Sequence, residues 1–385
     1  MDYFLTEEQV MIQELSAQIA DEKIAPLAIE YDEKGIFPRD IVDILAASDI
    51  CGVYIPEEYG GLGGGVFEMS LVVEQLSRAC GGIALAFAGT GLGTYPLILF
   101  GSDEQKEKWL PDIAAGKKLA AFGLTEANAG SDAAGIQTTA AKDGDDYILN
   151  GTKQWITNGM EADIYSVIAC TNRDKGARGF SAFIVEKDTP GFSFGKKEDK
   201  MGIRASSTSE LVFEDCRIPK ENLLGKEGMG FIVAMKTLDR TRPGVAAQAL
   251  GIAQGAFDEA VKYSTERVQF GQPISAFQAI QHILADMAVQ IEAARALVYQ
   301  TCRMIDSGAK SFSKESALCK VMASDVAMKV TTDAVQVLGG YGYMKEYPVE
   351  KRMRDAKITQ IYEGTNQIQR NIIALEILKE FNSKN

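Results

Sequence analysis

Histidine is almost absent from this chain: a single residue, His282, occurs in 385 positions. That scarcity makes a histidine-rich metal centre impossible and argues against a Ser-His-Asp triad. His282 sits between Ile280 and Ile283 in a helical pattern and reads as a packed structural residue. Cys51, Cys80, Cys170, Cys216, Cys302 and Cys319 are scattered, with no C-x-x-C pair and no neighbouring histidine. They read as free thiols in a reducing, cytoplasmic setting. Met1 to Val10 carries acids and no basic segment, so no secretory signal is expected. No apolar run is expected to reach membrane-spanning length. Basic clusters are missing too. With a net charge of −13 and no Lys/Arg-rich patch, a nucleic-acid surface is not expected. An anionic small ligand remains compatible, since it needs only a local basic pocket.

What is present is ordinary in amount and informative in order. Hydrophobic content of 46% and charged content of 24% suit a soluble globular protein, and the length suits two or three folding units. Residues 1 to about 120 read as helical, with apolar residues three and four apart in Glu7 to Ala20, Arg39 to Ala47 and Phe67 to Cys80. The glycine-rich loop Pro56 to Gly65 has no clear strand before it and no Lys-Ser/Thr after it, so it reads as a flexible turn, not a phosphate cradle. The texture then changes. Runs starting at Tyr147, Lys153, Ile164, Phe180 and Glu210 are short, β-branched or aromatic, and bounded by turn residues. They predict an antiparallel barrel or sandwich. Helical periodicity returns after Gly230 in Ala246 to Arg267, Ile280 to Ile305 and Lys314 to Leu338. The expected class is α+β in three units: helical over 1–120, β over 121–230 and helical over 231–385. This order excludes a dinucleotide fold of alternating βαβ units.

The most informative stretch is Tyr362-Glu363-Gly364-Thr365, which breaks two apolar-patterned helical runs, Val349 to Ile361 and Asn366 to Phe381. Gly364 ends the first run, and Asn366 with Gln369 fits an N-cap and its reciprocal partner. Glu363 is therefore expected at a corner, where a carboxylate suits proton removal from carbon. The plain alternative is a Glu stabilised by a helix dipole. Four other segments carry potential ligand chemistry. Phe122-Gly-Leu-Thr-Glu-Ala-Asn-Ala-Gly-Ser-Asp132 is rich in small residues and hydroxyls, and backbone N–H groups near Gly130 and Ser131 can approach a phosphate or a ring edge; otherwise it is a plain turn. Trp155 and Thr157 offer an aromatic face and a hydroxyl to a planar group; otherwise Trp155 belongs to the core. In Asp239-Arg240-Thr241-Arg242-Pro243, Pro243 suggests a helical first turn with Thr241 as cap, its arginines free for an anionic ligand or tied to Asp239. The last group is Arg267 to Gly271, Phe277-Gln278 and Gln336 to Gly342. There Arg267 is a bidentate donor for a pyrophosphate, and Gly339 and Gly340 permit close approach.

Taken in order over the whole chain, these segments, together with Arg354 to Thr365, resemble the acyl-CoA dehydrogenase family, most nearly its short- and medium-chain, butyryl-CoA-type members. The resemblance implies a C-terminal four-helix bundle, one FAD per subunit and a homotetramer built as a dimer of dimers. It implies that Phe122, Leu124, Thr125, Gly130 and Ser131 line the flavin, with Ser131 also near the pantetheine of CoA. Trp155 and Thr157 would flank the ring system. Arg267, Phe270, Gln278, Gln336, Gly339 and Gly340 would reach FAD across a subunit boundary, and Thr365 and Gln367 would complete its site. Asp239, Thr241 and Arg242 match contacts to CoA. Glu363 matches the catalytic base, with Tyr362 and Gly364 placed against the substrate.

The implied reaction is α,β-dehydrogenation of an acyl-CoA to a trans-2-enoyl-CoA. Glu363 removes the α-proton, hydride passes to flavin N5, and the electrons leave to an electron-transferring flavoprotein. The same chemistry run backwards, as an enoyl-CoA reductase within a flavoprotein complex, is the alternative, and an acyl-CoA-binding scaffold is the non-enzymatic one. The segment Ala84 to Thr94 matches the helix that closes the acyl pocket. Its small residues Ala88, Gly89, Thr90 and Gly91 suggest room for a branched, cyclic or aromatic acyl group, against a linear C4–C8 chain with mere helix packing. It holds no Arg, which argues against a dicarboxyl-CoA. Leu375 stands where some relatives carry an Arg.

Overall fold

The computed structural model describes residues 3–383. Six helices come first: α1 (Glu7–Ile19), α2 (Ala28–Lys34), α3 (Arg39–Ala47), α4 (Val66–Ala79), α5 (Gly81–Phe100) and α6 (Asp103–Ala114). Their starts follow from local chemistry. Thr6 and Gln9 form a capping box on α1, and Ser102 and Gln105 form one on α6. The first turn of α4 is capped from far away: the Asp306 carboxylate accepts from the backbone N–H of Val66 at 2.9 Å and of Phe67 at 2.8 Å.

Strands follow: β1 (Ala120–Gly123), β2 (Thr139–Asp143), β3 (Asp146–Thr157), β4 (Ile164–Cys170), β5 (Phe180–Glu186), β6 (Phe192–Lys197), β7 (Thr208–Ile218) and β8 (Leu223–Leu224). They form one sheet in the order β6-β7-β3-β2-β4-β5-β8, with β1 beside β4. The ladders are antiparallel except for β1 on β4 and the single β2–β4 bridge, so the sheet is mixed and not wholly antiparallel as expected. The physical reason is that β1 arrives from α6, across the helical layer, and no hairpin constrains its direction. β4 is buried along its whole length, and it is apolar apart from Ser166, whose hydroxyl donates to the Gly93 carbonyl at 2.9 Å.

The chain closes with α7 (Gly230–Glu266), a small hairpin β9 (Val268–Gln269) and β10 (Gln272–Pro273), then α8 (Gln278–Asp306), α9 (Ser313–Leu338), α10 (Val349–Thr359) and α11 (Asn366–Asn382). α9 packs against α7, α8, α10 and α11. The architecture is helical, then sheet, then helical.

Four local expectations are corrected. Asp239 to Pro243 does not open a helix; it lies inside the 37-residue α7. Pro243 leaves the carbonyl of Asp239 without its helical donor, and the Ser316 hydroxyl from α9 supplies one instead. α5 is an uncharged 20-residue helix with a mean hydropathy of 1.6, long and apolar enough to cross a membrane, and 72% of that span is buried within the fold. The missed run is a core helix. His282 is exposed on α8, not packed. The N-cap of α11 is Thr365, whose hydroxyl accepts from Ile368 N–H at 3.3 Å; Asn366 is the first helical residue.

Candidate active site

α5, the loop after β1, the end of β3, the middle of α7 and the turn before α11 surround a cavity of about 360 Å3. Glu363 lies on its wall, in a turn that no regular helix can continue. Its φ is +51°, and that of Gly364 is +91°. A left-handed conformation costs a non-glycine residue roughly 1–2 kcal/mol, so the surroundings must hold it. They do so on both sides. Arg242 Nε donates to the Glu363 carbonyl at 3.3 Å, and Gln369 Nε2 donates to the same oxygen at 3.1 Å. The Thr241 hydroxyl donates to the carboxylate oxygen Oε2 at 2.6 Å. Burial raises the pKa of the carboxyl above the ordinary Glu value, opposed by the Thr241 hydrogen bond and by the charges of Arg242 and Lys320.

The cavity is also lined by Phe122, Leu124, Thr125, Gly130, Ser131, Trp155 and Thr157. Trp155 is 54% exposed and has a φ of +60°, at a register shift between β3 and β7. This indole is therefore a cavity wall and not core. An open aromatic face beside three short hydroxyls is a donor set that fits a planar heterocycle with polar edges. The loop is fixed from beneath by a buried ion pair that sequence reasoning missed: Lys153 Nζ donates to Glu126 at 2.7 Å and to the Leu124 carbonyl at 3.1 Å. Glu126 in turn accepts from the N–H groups of Gln137 and Thr138. The signal was present, because Tyr147, Leu149 and Lys153 fall on the same inward alternation of β3.

Ala88, Gly89, Thr241, Arg242, Tyr362 and Gly364 also line the cavity. Thr90 does not. Its hydroxyl donates to the Ala86 carbonyl at 2.8 Å and accepts from Asn158 Nδ2 at 3.2 Å, so it ties α5 to the end of β3. Gly89 is small for packing: a Cβ there would lie 2.7 Å from Thr157 Cγ2. Asp239 is also outside the cavity, its carboxylate taken by Arg242 at 2.7 Å and by Ser313. Thr365 and Gln367 belong to the first turn of α11, and Arg267, Phe270, Gln278, Gln336, Gly339 and Gly340 lie away from this cavity. Residues that sequence reasoning did not single out complete the wall, chiefly Met69, Leu85, Met235, Ile368 and Gln248. Gln248 Nε2 donates to the Gly81 carbonyl at 2.9 Å, which leaves its Oε1 to accept from the Tyr362 hydroxyl.

The cavity thus brings a partly buried carboxylate and an aromatic, hydroxyl-lined wall to one apolar slot, where a base and a planar cofactor can both reach a ligand. The N-terminal, middle and C-terminal domain models of the acyl-CoA dehydrogenases match residues 6–117, 121–216 and 228–378. The chain belongs to the acyl-CoA dehydrogenase family, a family of FAD-dependent oxidoreductases. It is 53% identical over 374 residues to the short-chain-specific acyl-CoA dehydrogenase of Megasphaera elsdenii, covering 96% of this chain and 97% of that one. The butyryl-CoA dehydrogenase structure from the same organism superposes with a TM-score of 0.96 at 52% identity, covering 98% of this chain and 100% of that one. The acryloyl-CoA reductase (NADH) of Anaerotignum propionicum is 49% identical, with coverage of 98% and 96%. A chain in a structure described as the electron transferring flavoprotein of Acidaminococcus fermentans matches with a TM-score of 0.96 and 54% identity, covering 98% and 100%. An acyl-CoA dehydrogenase of Bacillus anthracis, solved in complex with FAD, matches at 38% identity with a TM-score of 0.93, covering 99% of this chain and 68% of that one.

Proposed function

We propose that the chain dehydrogenates a short-chain acyl-CoA thioester with Glu363 as the base that removes the α-proton. The observation that carries this is the Glu363 carboxylate itself, on the cavity wall, in a held left-handed turn, with its pKa raised by burial. A raised pKa makes the carboxylate a stronger base once it is ionised. The Gly364 side of the turn offers backbone N–H to the thioester carbonyl, where negative charge develops. Phe122, Leu124, Thr125, Gly130, Ser131, Trp155 and Thr157 hold the cofactor. FAD supplies the acceptor for the hydrogen and electron pair leaving the β-carbon. Met69, Leu85, Met235 and Ile368 exclude water from the acyl chain. Ser131 and Arg242 face the CoA side of the cavity, while Asp239 and Thr241 act by orienting Arg242 and Glu363.

A short linear acyl group is favoured over a cyclic one. The glycines of α5 are occupied by packing: a Cβ at Gly91 would lie 2.2 Å from Met69 Cε, so their smallness does not widen the slot. The short-chain-specific relative at 53% identity supports the same choice. The test is anaerobic flavin bleaching with a panel of thioesters. Butyryl-CoA should bleach faster than cyclohexyl or aromatic thioesters, and the reverse order rejects this assignment.

Electrons are exchanged with an electron-transferring flavoprotein, a reading supported by the match to a chain of such a structure. The relationship to an NADH-dependent acryloyl-CoA reductase favours a second reading, in which the flux runs from enoyl-CoA to acyl-CoA. Co-purification with a flavoprotein heterodimer and NADH-driven enoyl-CoA reduction would select it. The working unit is a homotetramer in which Arg267, Phe270, Gln278, Gln336, Gly339 and Gly340 complete the FAD site of a neighbouring copy, joined by Thr365 and Gln367. Phe270, at 95% exposure on the β9–β10 hairpin, supports this, as do the exposed Leu375 and Leu378 on α11. The six buried free thiols fit a cytoplasmic enzyme.

A further inference from the structure

Lys320 is a fully buried lysine that the proposed chemistry does not use. It stands on the inward stripe of α9, one turn from Ser316, Ser324 and Ala323, and its ammonium is directed at the turn that carries Glu363. Nζ donates to the Gly364 carbonyl at 3.0 Å and to Asn366 Oδ1 at 2.9 Å. Asn366 is held in turn: its Nδ2 donates to the Ser324 hydroxyl at 2.9 Å and to Asp325 at 2.8 Å. The network grips the turn immediately after the carboxylate, where the backbone takes two consecutive positive φ values. Burying an ammonium is costly unless its hydrogen bonds are made. Fold stability alone would be served as well by an apolar side chain on this stripe. We infer that Lys320 is a positioning residue for the base, fixing the Glu363-Gly364 turn through the Gly364 carbonyl and Asn366 and placing a positive charge behind the carboxylate.

The charged groups around it are Glu363 on the turn, Arg242 on α7 and Asp325 on its own helix. Burial pulls the ammonium down to about 7, opposed by Glu363. In its protonated form Lys320 helps keep the Glu363 carboxylate ionised, against the burial that raises its pKa. Replacing it with a neutral residue removes that help and raises the pKa of Glu363.

The inference rests on Glu363 being the base, so the test includes a Glu363→Gln control. Holoenzyme with its flavin reduced by dithionite is incubated with butyryl-CoA in deuterated water, and α-hydrogen exchange is followed by mass spectrometry; kcat/KM is measured across pH in parallel. Lys320→Met should slow exchange by about a hundredfold, the cost of a misplaced group, and move the acid limb of kcat/KM up by about one unit. Lys320→Gln retains a donor and should recover much of the exchange while the limb stays displaced. Exchange and limb both at wild-type values in the Lys320 variants, with Glu363→Gln inert, overturn the inference alone. Normal exchange in Glu363→Gln overturns the base assignment and this inference with it. Should Lys320→Met fail to fold, an unmoved limb in Lys320→Gln is sufficient to refute the role.

Discussion

Thr241→Val removes the hydrogen bond that the Thr241 hydroxyl donates to the Glu363 carboxylate, at 2.6 Å, while keeping the shape of the side chain. A hydrogen bond to a charged group contributes about 1.5–3 kcal/mol. At about 1.4 kcal/mol per pKa unit, its loss is equivalent to roughly 1–2 units. The sign follows from the donor. Thr241 stabilises the ionised carboxylate, so its removal favours the protonated form and raises the pKa further above the ordinary Glu value, where burial has already moved it. The base works only when ionised, so activity is lost as pH falls through this pKa. The acid limb of kcat/KM, which reports the free enzyme, should therefore move to higher pH by roughly 1–2 units. The plateau above the limb should fall as well, because the carboxylate loses the hydroxyl that orients it. Stopped-flow flavin reduction across pH, with Tm and FAD content as controls for folding, reads both quantities. A limb that stays put, or moves to lower pH, would refute the claim that Thr241 acts on the base.

Other consequences concern the frame around the carboxylate. Gly89→Ala puts a Cβ 2.7 Å from Thr157 Cγ2 and 3.2 Å from Asn158 Nδ2, so α5 must shift on β3; a loss of about 1–3 kcal/mol in denaturant unfolding is expected, with weaker FAD retention. Gly364→Ala adds a side chain at φ +91° and 2.4 Å from Gln369 Nε2, and should lower kcat far more than it raises KM. Lys153→Met strands the Glu126 carboxylate, which is 6% exposed, and should cost about 3–5 kcal/mol, with Glu126→Gln in the same background recovering part of it. An unchanged unfolding midpoint for Lys153→Met would show that the pair does not hold the Phe122 to Asp132 loop.

The sequence disclosed the order of helices, strands and helices because periodicity reports which face is buried. It also located Glu363 at a corner, since Gly364 and the two apolar runs around it are local signals. Asp239 to Pro243 was misread because Pro243 has a local meaning, a helix start, that a distant residue cancels: Ser316 supplies the donor for the carbonyl that proline frees. The cap of α11 slipped by one residue, to Thr365, because Gln369 is engaged by the carbonyls of Glu363 and Gly364 instead of serving a capping box. The small residues of α5 fitted either pocket space or helix packing in the sequence; only the fold shows that Gly89 meets β3 and Gly91 meets Met69. Partners far apart in sequence, such as Lys153 with Glu126 and Lys320 with the Gly364 carbonyl, leave no signature beyond a lysine at an inward position.

The central claim is that Glu363 removes the α-proton, and Glu363→Gln tests it with nearly the same shape and no base. Anaerobic single-turnover bleaching of the flavin by butyryl-CoA is the measurement. The account predicts retained FAD, retained thioester binding and a bleaching rate lower by about 10⁴ or more, at or above the upper end of a general base's contribution. A variant that bleaches at more than about a tenth of the wild-type rate, a barrier change of under about 1.4 kcal/mol, would contradict it.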